Sequence, residues 1–158
     1  MDDLPIIELR RIEADIVKPI YAEMVRALGR ERAREILDAA IRNNAIEHGR
    51  GYAQREAPGG NDLAGFARLL PHWQKGEALE IEVLESTPQR FDFNVTRCRY
   101  AEMYREMGVA EIGDLLSCGR DGSFCTGYNP EIRLERTQTM MQGASHCDFR
   151  YTLAREAD

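Results

Sequence analysis

Residues 79–108, LEIEVLESTPQRFDFNVTRCRYAEMYREMG, change period twice, and those changes decide the fold. From Leu79 to Glu85 apolar and acidic residues alternate, which is the signature of a strand with one buried face. STPQ supplies turn residues, and alternation resumes from Arg90 to Thr96. Phe91, Phe93 and Val95 fall on one face of that second strand; Asp92, Asn94 and Thr96 fall on the other. The two runs predict a hairpin. At Arg97 or Cys98 the period becomes helical, and Gly108 closes the helix.

Working outward toward the C-terminus, VAEIGDLLSCG predicts a short helix, and SCGRDGSFCTGYNPE, with its glycines and Asp121, predicts a loop. EIRLERTQTMM and CDFRYTLAR then predict a second hairpin around QGAS. On its last strand Cys147, Phe149, Tyr151 and Leu153 share a face, and Asp148, Arg150 and Thr152 share the opposite one. Toward the N-terminus the period is helical. Residues 1–4 are expected to fray, and Ile6, Leu9, Ile12, Ile16 and Ile20 recur at helical spacing until Pro19 kinks or ends the helix near Lys18. A second helix runs from about Glu31 to Gln54. A third starts at an Asn61 or Asp62 cap and carries Leu63, Phe66, Leu69, Leu70 and Trp73. The expected fold is α+β: one domain over 1–158, with a helical layer (1–75) packed on a small antiparallel sheet of about four strands (76–158).

Composition narrows the function classes. A net charge of −6 excludes a general nucleic-acid binder, which needs a concentrated basic face. Arginines of the N-terminal helices are interleaved with Glu and Asp, a pattern of solvated helix faces. No apolar run reaches the roughly 20 residues of a membrane span, and the start MDDLPIIELR has no basic segment of a signal peptide, so the expected location is the cytoplasm. The four cysteines, Cys98, Cys118, Cys125 and Cys147, are then free thiols. They contain no C-x-x-C pair, and with three scattered histidines they compose no expected metal site.

The chemistry-bearing groups concentrate between Phe91 and Tyr151. Cys98 falls at a strand-to-helix junction, where a helix N-terminus lowers a thiol pKa and offers backbone N–H groups to an oxyanion. His146-Cys147-Asp148 is the densest cluster of functional atoms. Strand neighbours point to opposite faces, so a thiol–imidazole pair made across strands has better geometry than one between His146 and Cys147. Asp92 and Asn94 would meet Asp148 and Arg150 if their strands are adjacent, forming a polar patch for a small zwitterion or carboxylate.

The order FNVTRCRYAEMYREMG, a Gly/Asp loop, then NPEIRLERTQTMMQGASHCDFRY resembles the L-2-amino-thiazoline-4-carboxylic acid hydrolase family of bacterial proteins, over roughly residues 75–152. The motif positions are Asn94, Thr96, Cys98, Tyr100 and Glu102, then Asp121, then Arg136, Thr137 and Thr139, then Gly143, His146, Cys147, Asp148 and Arg150. The resemblance implies hydrolytic opening of a C–N bond in a small cyclic amidine or amide. Under it, Cys98 or Cys147 is the nucleophile and His146 or Asp121 the general acid/base, with Arg136 or Arg150 holding the substrate carboxylate. Asn94, Tyr100, Glu102, Thr139 and Asp148 would complete the substrate site. A water mechanism with Asp121 or Asp148 as base stands beside it. No cofactor is required. The competing reading is a non-catalytic small-molecule-binding or sensor domain, for which the similarity of the late-Cys hairpin to vinyl-reductase-type ligand-binding domains is a fold-level analogy. A homo-oligomer would bury the first helix or the open sheet face.

Overall fold

Alternation places the strands where the sequence puts them. In the computed structural model, which describes residues 3–154, β1 (Leu79–Ser86) and β2 (Arg90–Cys98) form the first hairpin. β4 (Cys147–Leu153) pairs antiparallel with β2, and β3 (Ile132–Glu135) closes the other edge, giving the order β1-β2-β4-β3. The expected fraying of Met1 and Asp2 and the end of the last strand at Arg155 lie outside the described residues. In the register, Val95 faces Cys147, Phe93 faces Phe149 and Phe91 faces Tyr151. This apolar face takes the helices: Phe91, Phe93 and Tyr151 are buried against Leu63, Phe124 and Tyr128.

Three helices precede the sheet: α1 (Ile6–Leu28), α2 (Arg30–Arg55) and α3 (Leu63–Gln74). Gly29, at φ 85°, is the break between the first two. Asp62 caps α3 by accepting a 2.8 Å hydrogen bond from the Gly65 N–H. Asp62→Ala is expected to cost about 1 kcal/mol, read as a lower urea midpoint with an unchanged slope.

Pro19 does not end α1. It lies on the exposed side, where water can serve the carbonyl it leaves unpaired, while Lys18 Nζ donates to Met107 O and Tyr21 Oη to Glu111 Oε1 on the inner side. The buried stripe of α1 is Ile7, Arg10, Ala14 and Tyr21. Ile12, Ile16 and Ile20 of the expected stripe are exposed at 61%, 60% and 50%.

After the hairpin come α4 (Arg99–Glu106), the single turn α5 (Ala110–Gly113), a π-helical turn (Asp114–Cys118) and α6 (Arg120–Tyr128). The stretch expected to be a Gly-rich loop is thus mostly helix. Tertiary packing overrides its low propensity, because Gly127 of α6 and Gly49 of α2 let two backbones meet with no side chain between them. The second hairpin also differs from expectation. β3 ends at Glu135, and residues 136–146 run irregularly through a 3₁₀ turn (Met140–Gln142) before β4. The Asp148 carboxylate draws this segment out of strand pairing by accepting from the backbone N–H groups of Thr137 and Gln138, each at 2.9 Å.

Candidate functional site

Between the helices and the apolar sheet face lies a cavity of about 920 Å³. Its walls are largely aromatic. Phe93 and Phe149 stack at 4.8 Å between ring centroids and 10° between planes, and Trp73 meets Phe124 edge-on at 5.3 Å. Flat slots of this kind suit a planar ring, and the volume is that of ordinary small-molecule sites.

Asp121 and Arg136 form the polar centre. Asp121 comes from the first turn of α6, and Arg136, the first residue after β3, continues the inward face of Ile132 and Leu134. Arg136 Nη1 donates to Asp121 Oδ2 at 2.6 Å and Nη2 to the Cys118 carbonyl at 3.1 Å. The π turn places that carbonyl; such turns interrupt the regular ladder and are frequent at functional sites. The Arg136 guanidinium lies 5.0 Å over the Phe149 ring. The pair retains 16% and 26% side-chain exposure, which opens on the cavity. Burial raises the Asp121 carboxyl above the ordinary carboxylate range despite the opposing pull of Arg136, and Asp121 in turn keeps Arg136 firmly protonated.

Cys98, Cys118 and Cys147 line the same cavity; Cys125 is buried beside it. The expected lowering of the Cys98 pKa does not occur. Cys98 does precede α4, and backbone groups of Ala101 and Tyr100 favour its thiolate, but burial dominates and pushes it up from 9.0 to about 11. Burial likewise raises Cys118, Cys125 and Cys147, and the negative charge of Asp121 adds to each. The thiols are therefore neutral at neutral pH. Cys98 should hold roughly 100-fold less thiolate than an ordinary cysteine, so iodoacetamide labelling followed by mass spectrometry should find it slow and find no fast-reacting cysteine among the four.

The other sequence candidates fall in three places. Tyr100 lines the cavity with its Oη donating to the Trp73 carbonyl at 3.0 Å. Asn94, Asp148 and Arg150 do meet, but on the sheet face turned away from the cavity: Arg150 donates to Asn94 Oδ1 and to the Phe93 and Phe149 carbonyls. Burial alone would raise the Asp148 pKa, but the hydrogen bonds from Thr137 and Gln138 together outweigh it and lower it, leaving Asp148 a committed acceptor. Glu102 is paired on the surface with Arg97 at 3.1 Å. Thr139 is buried and caps the 3₁₀ turn by accepting from the Gln142 N–H, beside a smaller concavity of about 280 Å³ that shares Arg136 and Cys118 with the main one. His146 sits before β4 with Ser145 and Gln138 as partners, and no cysteine is among its hydrogen-bond partners.

Sequence reasoning missed Arg10, Glu13 and Arg120, which also line the cavity. Arg10 had a signal: it falls in step with Ile7, Ala14 and Tyr21 on the buried stripe, where a charge needs a reason. Among the described residues no group of three or more His, Cys, Asp or Glu side chains is arranged to hold a metal ion, and no helix is long and apolar enough to cross a membrane.

The fold has a solved counterpart in the phenol-responsive sensory domain of the transcription activator PoxR, crystallised with phenol. It is similar at a TM-score of 0.55 and 14% identity, over 87% of this chain and 73% of that one. No curated protein sequence matches the chain. The family profile of L-2-amino-thiazoline-4-carboxylic acid hydrolase matches residues 9–151, nearly the whole described length. The chain therefore belongs to the L-2-amino-thiazoline-4-carboxylic acid hydrolase family.

Proposed function

We propose that the protein hydrolyses a C–N bond in a small cyclic amidine or amide resembling 2-amino-thiazoline-4-carboxylate, with water as the nucleophile and Asp121 as the proton carrier. One observation carries this reading: the enclosed Asp121 carboxylate, made a stronger base by burial, faces an aromatic cavity while Arg136 fixes its orientation. In the proposed reaction the planar ring lies against the aromatic walls. Asp121 takes one proton from a water molecule as the water oxygen bonds to the ring carbon. The C–N bond then breaks, and the nitrogen receives the proton from Asp121. The net change is addition of one water, and no cofactor takes part. Arg136 is a positioning residue, since it acts through Asp121. Cys98, Cys118 and Cys147 line the cavity as neutral, polarisable thiols. His146, Asp148 and Arg150 support the loop and the outer sheet face. In this reading residues 1–75 and 76–158 serve as one domain around one substrate.

A second reading is a ligand-binding or sensor domain without turnover. The shared fold with a sensory domain and the neutral thiols both favour it. Incubation of the protein with 2-amino-thiazoline-4-carboxylate, followed by mass spectrometry, separates the two. Catalytic gain of one water supports the hydrolase; saturable binding with the ring intact supports the sensor. Neither outcome with this compound would sink both for this substrate.

A further inference from the structure

Arg10 and Arg120 stand together on the cavity wall, 8% and 7% exposed, from helices α1 and α6. Two buried guanidinium groups repel each other, and the positive charge of Arg10 helps burial hold the Arg120 pKa down at about 10. Among the described residues one carboxylate, Glu13, lies within ion-pair distance of them, and Asp121 adds a longer-range attraction. Glu13 accepts two hydrogen bonds from Arg10 Nη1, at 3.0 and 2.9 Å, and lies 3.7 Å from Arg120 Nη2. Arg120 spends its other nitrogens on the Leu116 carbonyl and Asn44 Oδ1.

The remaining donors are open. Arg10 Nε and Nη2 and Arg120 Nη2 have no hydrogen bond among the described residues, and none of the three is sealed from solvent. Both side chains line the cavity. The other carboxylates of the wall are engaged elsewhere: Asp121 with Arg136, Glu56 with Tyr128 Oη, and Glu47 with Arg50. The positive field extends to His48, whose imidazole is lowered first by burial and then by Arg120 and Arg10. A buried cation left short of its counter-charge is costly unless an anion completes it.

We infer that Arg10 and Arg120 form an anion subsite, separate from the Asp121–Arg136 pair, which receives the carboxylate of a planar-ring substrate. The inference rests on the cavity being the substrate site. It assigns the substrate class as ring carboxylates in preference to neutral rings. It also moves the carboxylate clamp from Arg136, whose donors already serve Asp121 and Cys118, to Arg10 and Arg120. A carboxylate there would accept from two guanidinium groups, a stronger arrangement than neutral donors provide.

Thiophene-2-carboxylate and thiophene-2-carboxamide test this without turnover, because their rings have no C–N bond to open. Isothermal titration calorimetry of the wild type should find the carboxylate bound at least about tenfold more tightly than the carboxamide. Arg10→Gln should reduce that preference to under about threefold while leaving carboxamide affinity unchanged. Equal loss for both ligands would mark Arg10 as merely structural and overturn the subsite. So would equal wild-type affinities, absence of saturable carboxylate binding, or a preference that survives Arg10→Gln. If Arg10→Gln does not fold, Arg10→Lys carries the test. It should keep a preference for the anion but a weaker one, since a lysine cannot offer the guanidinium fork, and an undiminished preference overturns the assignment. Failure of ring opening on the amidine substrate, with this preference intact, would remove the hydrolase reading and leave the subsite standing.

Discussion

Asp121→Asn is expected to lower turnover of 2-amino-thiazoline-4-carboxylate by about 10²- to 10⁴-fold, the range that a positioned proton-transfer group supplies. Asparagine has nearly the same shape and can still accept from Arg136, so the cavity should survive. What it cannot do is take a proton from water. The pH profile gives a second reading of the same substitution. Burial raises the Asp121 pKa, and the basic form exists only above that raised value. The wild-type rate should therefore fall as pH drops through a point above the ordinary carboxylate range. That acid limb should vanish from the residual rate of Asp121→Asn. A melting curve controls for stability, because the substitution leaves Arg136 without its counter-charge.

The largest effect on stability is expected where α2 crosses α6. A Cβ added at Gly127 would lie 1.9 Å from the Ile46 carbonyl oxygen and 2.9 Å from the Arg50 nitrogen. One added at Gly49 would lie 2.1 Å from the Phe124 carbonyl oxygen and 2.8 Å from the Tyr128 nitrogen. These neighbours are backbone, so no rotamer change relieves the overlap and the helices must separate. Gly127→Ala should cost about 3 kcal/mol or more, towards the upper end of overpacking penalties. For a chain of this size that lowers the melting temperature by roughly 6–12 °C. Activity should suffer at temperatures where the variant is still folded, because α6 also carries Arg120 and Asp121. A shift of α6 away from α2 moves the proton carrier relative to the ring, and such displacements reduce rate steeply. Comparing thermal unfolding with turnover at a temperature well below the transition checks both parts.

The sheet was open to reading because its signal is local. Alternation from Leu79 to Glu85 and from Arg90 to Thr96 fixes two strands and the inward face of the second, though Val83 of the first stays 51% exposed, and Asp62 announces its helix by its capping side chain. Three features were not local. The helix over Arg120–Tyr128 depends on Gly127 fitting against Ile46 of another helix, which a glycine in a sequence does not disclose. α1 runs through Pro19 because partners such as Met107 and Glu111, about ninety residues away, hold its inner side. The segment 136–146 leaves the sheet because Asp148 takes its N–H groups.

Of the candidate site, Cys98, Tyr100, Asp121, Arg136 and Cys147 do line one cavity. Asn94, Asp148 and Arg150 lie behind it because neighbours along a strand face opposite ways. The expected thiolate failed on magnitude, since desolvation of Cys98 exceeds what a helix N-terminus returns. Arg10 and Glu13 went unread because charges interleaved along a helix resemble a solvated face, although Arg10 shares the stripe of Ile7, Ala14 and Tyr21.

The most direct measurement is kcat/KM for ring opening by Asp121→Asn and by the double variant Cys98→Ala/Cys147→Ala, each beside the wild type at neutral pH. Water attack assisted by Asp121 predicts a loss of about 10²-fold or more in the first and retention within about tenfold in the second. Loss of turnover in a folded double cysteine variant, with activity kept by Asp121→Asn, would contradict the account and return the nucleophile to a thiol.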